Sequence, residues 1–121
     1  MDLAAGKYLL LTTFRKDGTA VPTPVWVVGG NGTLYAWSAA GAGKVKRIRR
    51  SGDVQVGPCD FRGNPTGEQV PATARLLDRA GSDRVRSLIA RKYGVMGRVS
   101  LLGSRLRRGR DGSIGIEIKP A

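Results

Sequence analysis

The 121-residue sequence contains no histidine and one cysteine, Cys59. Without histidine there is no Ser-His-Asp triad, no Cys-His dyad and no His-ligated zinc. A lone cysteine excludes an intrachain disulfide, a CxxC redox pair and a cysteine-rich metal site, and it fits a reducing cytoplasm. No bound metal is therefore expected. Cys59 itself reads as a small buried hydrophobe, with no histidine to activate it. Aromatic residues are only 6% of the chain. Once a core is filled, too few remain for the exposed rings of a base-stacking platform, which makes nucleic acid an unlikely partner. No apolar run approaches the roughly 20 residues that span a bilayer, so no stable membrane insertion is expected. Residues 1–6 lack the basic-then-apolar order of a secretory signal.

Acidic side chains are also scarce. Nine of them face 21 lysines and arginines, a net charge of +12. The excess is concentrated. Lys44 to Arg50 holds five basic residues and no acid, and Arg79 to Arg110 holds ten against Asp83 alone. Such a balance points to a polyanionic or phosphorylated partner. Hydrophobic residues at 40% suit a folded chain, and the length suits one domain over residues 1–121.

Hydrophobic periodicity predicts six strands. Lys7–Phe14 is nearly all apolar or Thr, as a strand buried on both faces would be. Arg15–Gly18 is a tight turn, with Gly18 suited to positive φ. Thr19–Val28 follows, then a turn at 29–32 and a third strand, Thr33–Ser38. Asp53–Asp60 and Glu68–Asp78 alternate, the latter placing Val70, Ala72, Ala74 and Leu76 on one face. Ser113–Lys119 is the last strand. Lys44–Ser51 reads as a short helix with Val45 and Ile48 inward, stopped at Gly52. Asp83–Tyr93 reads as a second, N-capped by Ser82, with Val85, Leu88, Ile89 and Tyr93 inward. Val95–Arg108 fits a basic amphipathic helix interrupted by glycine. The order predicts a mainly β, α+β fold: a small antiparallel barrel with helices outside it.

Two segments could carry chemistry. In Ser38–Arg50 (SAAGAGKVKRIRR) a strand gives way to a small-residue loop and a helix opening at Lys44. Unpaired amides and the helix dipole favour an anion there, with Lys44, Lys46 and the Ser38 hydroxyl beside it. It is no Walker loop, because Val45 follows the lysine. A solvated basic helix is the plainer alternative. In Thr19–Trp26 (TAVPTPVW), Pro22 and Pro24 leave carbonyls but few N–H groups on a stiff strand, which could line a planar ligand or simply blunt a sheet edge.

Taken in order, LLTTFRKDGTAVPTPVW, LYAWSAAGAGKVKRIRR and VQVGPCDFRGNPTG resemble the pyridoxamine-phosphate-oxidase-like split-barrel family, and within it the actinobacterial branch of coenzyme F-420-dependent oxidoreductases. The resemblance covers about residues 7–119. It implies a six-stranded antiparallel split β-barrel of the FMN-binding type, a homodimer, and F-420, or alternatively FMN, at the dimer interface. It also implies hydride transfer to a small-molecule substrate. Carried over by position, phosphate contacts fall at Lys44 and Lys46, assisted by Ser38. The strand beside the ring falls at Thr23, Pro24, Val25 and Trp26. Related members carry an arginine two residues before Lys44. Here that position is Ala42, which leaves fewer charges for one phosphate or hands the task to Lys46, Arg49 or Arg50. No catalytic side chain is assigned. The cofactor would carry the redox chemistry.

Overall fold

The computed structural model describes residues 3, 6–30, 32–92 and 113–120. Tyr8, Leu9, Leu10 and Leu11 open β1 (Tyr8–Phe14), and residues 9–13 are all buried, as the near-continuous apolar run requires of a strand covered on both faces. A turn closed by Gly18 N–H to Arg15 C=O, with Gly18 at φ +89°, returns the chain into β2 (Ala20–Gly30). The remaining elements are β3 (Thr33–Ala39), α1 (Gly43–Arg50), β4 (Asp53–Pro58), β5 (Val70–Leu76), a second helix α2 over residues 79–92, and β6 (Ser113–Pro120).

The strands close an antiparallel barrel in the order β1-β2-β3-β6-β5-β4. Alternation decides which side chains fill it. Leu9 and Leu11, Val25 and Val27, Leu34 and Ala36, Val54 and Val56, Ala72 and Ala74, and Ile116 and Ile118 point inward from their strands. Ile48 of α1 joins this cluster and Val45 beside it is fully buried, so α1 stoppers one end of the barrel by the two residues its periodicity selects.

A second, smaller cluster lies outside the barrel. Val28 meets Val85 and Ile89 of α2, with Trp26, Tyr35 and Trp37 packed around them. Gly115 makes this possible. A Cβ there would lie 3.1 Å from Ser82 Cα and 3.1 Å from Val85 Cγ2, so a larger residue would push α2 back by a few tenths of an ångström.

Two local expectations are corrected. Ser82 is not the N-cap of the second helix. The helix begins at residue 79, and Asp78 is the cap, its Oδ1 accepting from Gly81 N–H at 2.8 Å. Ser82, one turn inside, accepts the Gly115 N–H at 2.8 Å and ties the helix to the sheet. Leu88 is also not inward: it is exposed, while Val85 and Ile89 are buried. α1 does end just before Gly52, with Ser51 as its extended C-cap, and at Gly52 a Cβ would meet the Ala74 carbonyl at 2.7 Å. The expected inward Tyr93 and the amphipathic stretch 95–108 lie outside the described residues.

Candidate functional site

The β2–β3 ladder is short. It pairs Val27–Gly30 with Thr33–Ala36 and no further. Beyond it the two strands part. Ala20–Trp26 of β2 stays paired only to β1, while Trp37–Ala39 of β3 stays paired only to β6. The barrel is therefore split at this seam. One wall is the unpaired edge of β2. The other runs along the end of β3, through residues 40–42, to the start of α1.

The residues singled out by sequence fall on both walls, in different environments. On β2, Pro22 and Pro24 sit at Thr12 and Leu10 of β1 and have no N–H to offer, so at these positions the open edge presents carbonyl oxygens only. Thr23 between them is partly exposed. Val25 is buried in the barrel core, leaving its backbone alone for any ligand, and Trp26 points the other way, into the cluster under α2. On the opposite wall, Ser38 is buried and donates its hydroxyl to the Ala39 carbonyl at 3.2 Å.

The start of α1 is left polar and unsatisfied. Ala42 is its N-cap and makes no side-chain cap, and the first turn contains no acidic residue. Val45 and Lys46 both send their N–H groups back to the Ala42 carbonyl, whereas the Gly43 and Lys44 amides find no backbone acceptor. Lys44 is half-buried there and makes no hydrogen bond or ion pair with a described residue. Burial, and then the neighbouring Arg47 charge, pull its ammonium pKa below the ordinary lysine value. A cation in that position lacks its anion.

Arg47 is the residue the sequence reading missed. Its Nε donates to the buried Thr13 hydroxyl at 2.6 Å. This folds the guanidinium back over Gly43, where an added Cβ would lie 2.8 Å from Nη1. Lys44 and Arg47 are one helical turn apart and share a face. Lys46 lies roughly 200° round the helix from Lys44, and it and Arg49 are exposed. Arg50 is spent on structure, donating to the Phe14 carbonyl at 2.6 Å. The signal for Arg47 was the i, i+3 spacing from Lys44 with glycine at i−4. Thr13 also joins the two walls: it pairs with Val21, two residues, or roughly 7 Å of strand, from Thr23.

Loop 60–67 is a surface turn closed by its own hydrogen bonds. Asp60 Oδ1 accepts from the Arg62 and Asn64 amides at 2.9 Å each, and these bonds hold its carboxyl pKa low. Cys59 is buried, and desolvation raises its thiol pKa, which keeps it an unreactive thiol.

No known protein family and no curated protein sequence matches the chain. Solved structures do match. A provisionally assigned pyridoxamine 5′-phosphate oxidase of Listeria innocua superposes with a TM-score of 0.67 at 17% identity, over 98% of this chain and 86% of its own. An F420 reductase gives 0.63 at 17% identity, over 98% and 90%. HutZ, the heme storage protein of Vibrio cholerae, gives 0.64 at 14% identity, over 95% and 82%. The chain thus has the closed six-stranded antiparallel β-barrel of pyridoxamine-phosphate-oxidase-like split-barrel proteins.

Proposed function

We propose that the chain is an oxidoreductase that binds the deazaflavin F-420 in the split between β2 and β3 and passes hydride to a small-molecule substrate. FMN is the alternative cofactor, and a cytoplasmic homodimer is the working assembly. The observation that carries this reading is Lys44: a half-buried ammonium without a counter-ion among the described residues, beside two amides with no described backbone acceptor at an uncapped helix start. A phosphate supplies what each of these groups lacks.

The residues present fit the cofactor's parts. Lys44 and the Gly43 and Lys44 amides would hold the phosphate. Arg47, fixed by Thr13, supplies the second cation where related sequences place an arginine at the position of Ala42. The carbonyl edge at Pro22 and Pro24 suits N–H donors of a pyrimidinedione ring. When bound, the deazaflavin supplies the hydride chemistry. The chain's own part is to bind, orient and shield, which accords with a site built of backbone, cations and no histidine. An open seam of this kind needs a second wall, and a partner subunit would supply it.

Fluorescence titration of the purified protein with F-420 and with FMN, at two salt concentrations, tests the reading. F-420 carries a tail of carboxylates that FMN lacks. Its preference should be large at low ionic strength and should narrow as the Debye length falls from about 10 Å at 0.1 M salt to about 3 Å at 1 M. Equal affinities at low salt would make FMN the cofactor. Binding of neither would end the proposal.

A further inference from the structure

Among the described residues, two large hydrophobic side chains are exposed, Phe61 and Leu88. Leu88 stands at the mouth of a cavity. The cavity, of about 260 Å³, lies between α2 and the outer face of β3, β5 and β6, with Tyr35, Leu77 and Val85 among its lining residues. A groove of about 350 Å³ continues from it along α2, past Arg84, Leu88 and Arg91. Arg84 and Leu88 border both.

The charges around this cleft do not cancel. Two acids line it. Glu117 accepts from Arg75 at 3.0 Å and lies 3.8 Å from the Lys119 ammonium. Asp83 pairs with Arg86 at 3.2 Å. Both carboxylates are therefore engaged. The side chains of Arg84 and Arg91, two turns apart on one face of α2, make no ion pair or hydrogen bond with a described residue. The cleft combines an apolar hollow, an exposed leucine at its lip and two uncommitted guanidinium forks. Such forks match a carboxylate bidentately.

We propose that this cleft binds a small amphipathic carboxylate, its apolar body in the cavity beneath Leu88 and its head group against Arg84 and Arg91. The site shares no lining residue with the α1 start and does not depend on the cofactor reading.

Octanoate is a suitable probe, with methyl octanoate as its neutral counterpart and acetate as its head group alone. Trp26 and Trp37 pack in the same cluster as Val85, so their fluorescence reports occupancy. Octanoate should bind saturably, with the ester and acetate each about tenfold weaker or worse, as the loss of one charge-assisted contact or of the apolar body implies. Arg84→Gln should weaken octanoate about three- to tenfold. Leu88→Asp, which sets a like charge at the lip, should weaken it at least as much. Both positions are exposed, so the unfolding temperature should hold. Lys44→Ala should leave octanoate binding unchanged. The proposal is overturned if the ester binds as well as octanoate, if acetate does, if Arg84→Gln has no effect, or if Lys44→Ala abolishes binding.

Discussion

The two helices are built alike on their buried side and oppositely at their starts. Each is short and basic, and each is held by two apolar residues a turn apart, Val45 and Ile48 in α1, Val85 and Ile89 in α2. The α2 start is complete within the chain: Asp78 caps it, Asp83 pairs with Arg86 in its first turns, and near its end Lys92 donates to the Gly6 and Val27 carbonyls at 2.8 and 2.7 Å. The α1 start has alanine at the cap, no acid in its first turn and a half-buried lysine whose ammonium bonds to no described residue. A missing cap forgoes about 0.5–2 kcal/mol. Basic composition is thus no guide to role. What separates a structural helix from a candidate anion site is whether its polar groups are already satisfied.

The largest effect should come from what the helices share. Ile48→Ala and Ile89→Ala should each destabilise the fold by about 2–5 kcal/mol, read by denaturant unfolding. If Ile48→Ala were near neutral, α1 would not be the stopper of the barrel. Lys44→Ala should break the symmetry next. Cofactor affinity should fall by the roughly 1.5–3 kcal/mol of a charge-assisted contact while the apo protein's unfolding midpoint barely moves. Lys92→Ala should do the reverse, lowering stability by about 0.5–1.5 kcal/mol and sparing cofactor affinity.

Exchanging the caps sharpens the contrast. Asp78→Ala should cost about 0.5–2 kcal/mol of stability. Ala42→Asp should add a similar amount of stability and weaken phosphate binding, because the new carboxylate takes the amides and neutralises the dipole. Stabilisation without loss of affinity would place the phosphate elsewhere.

The smallest effects are two pH dependences of the same sign, one in the alkaline range and one in the acid range, both raising stability as pH rises. Lys44 has its pKa lowered in the fold, so its charge opposes folding, and that penalty is relieved as pH rises into the alkaline range. Phosphate affinity should weaken over the same range, at lower pH than an ordinary lysine would allow. Glu117 has its pKa lowered, first by the Arg75 hydrogen bond, so its contribution is present above the unfolded carboxyl pKa and is lost as pH falls through the folded one. The two slopes are measured by unfolding midpoints against pH in wild type, Lys44→Ala and Glu117→Gln.

Much of the fold was legible because one interaction dominates each strand. Period-two burial fixes the faces of Val70–Leu76; in Ser113–Pro120 Ile116 and Ile118 keep to the core face while Ser113 and Gly115 are buried on the other; and the continuous run at Leu9–Leu11 announces a strand covered on both sides. The cap of α2 was not legible. Asp78 and Ser82 are both good caps by residue type, and only the approach of β6, which gives Ser82 the Gly115 amide, decides between them. Leu88 was misplaced for a related reason: helical spacing marks a stripe but not how wide a sheet covers it.

For the candidate site, the sequence determined the ingredients: the uncapped, acid-free start at Lys44, the prolines that strip donors from β2, and the absence of histidine. These are local properties, set by side-chain and backbone chemistry at the position itself. Only the tertiary structure decided which ingredients meet. The β2–β3 ladder ends at Val27 and Ala36, and that opens the sheet between the β2 segment that carries Thr23 and the end of β3 that leads to α1. The Thr13 hydroxyl, 34 residues away in sequence, selects Arg47 from five neighbouring cations and turns it back over Gly43. Contacts between distant segments are fixed by register and packing, and no local pattern encodes them.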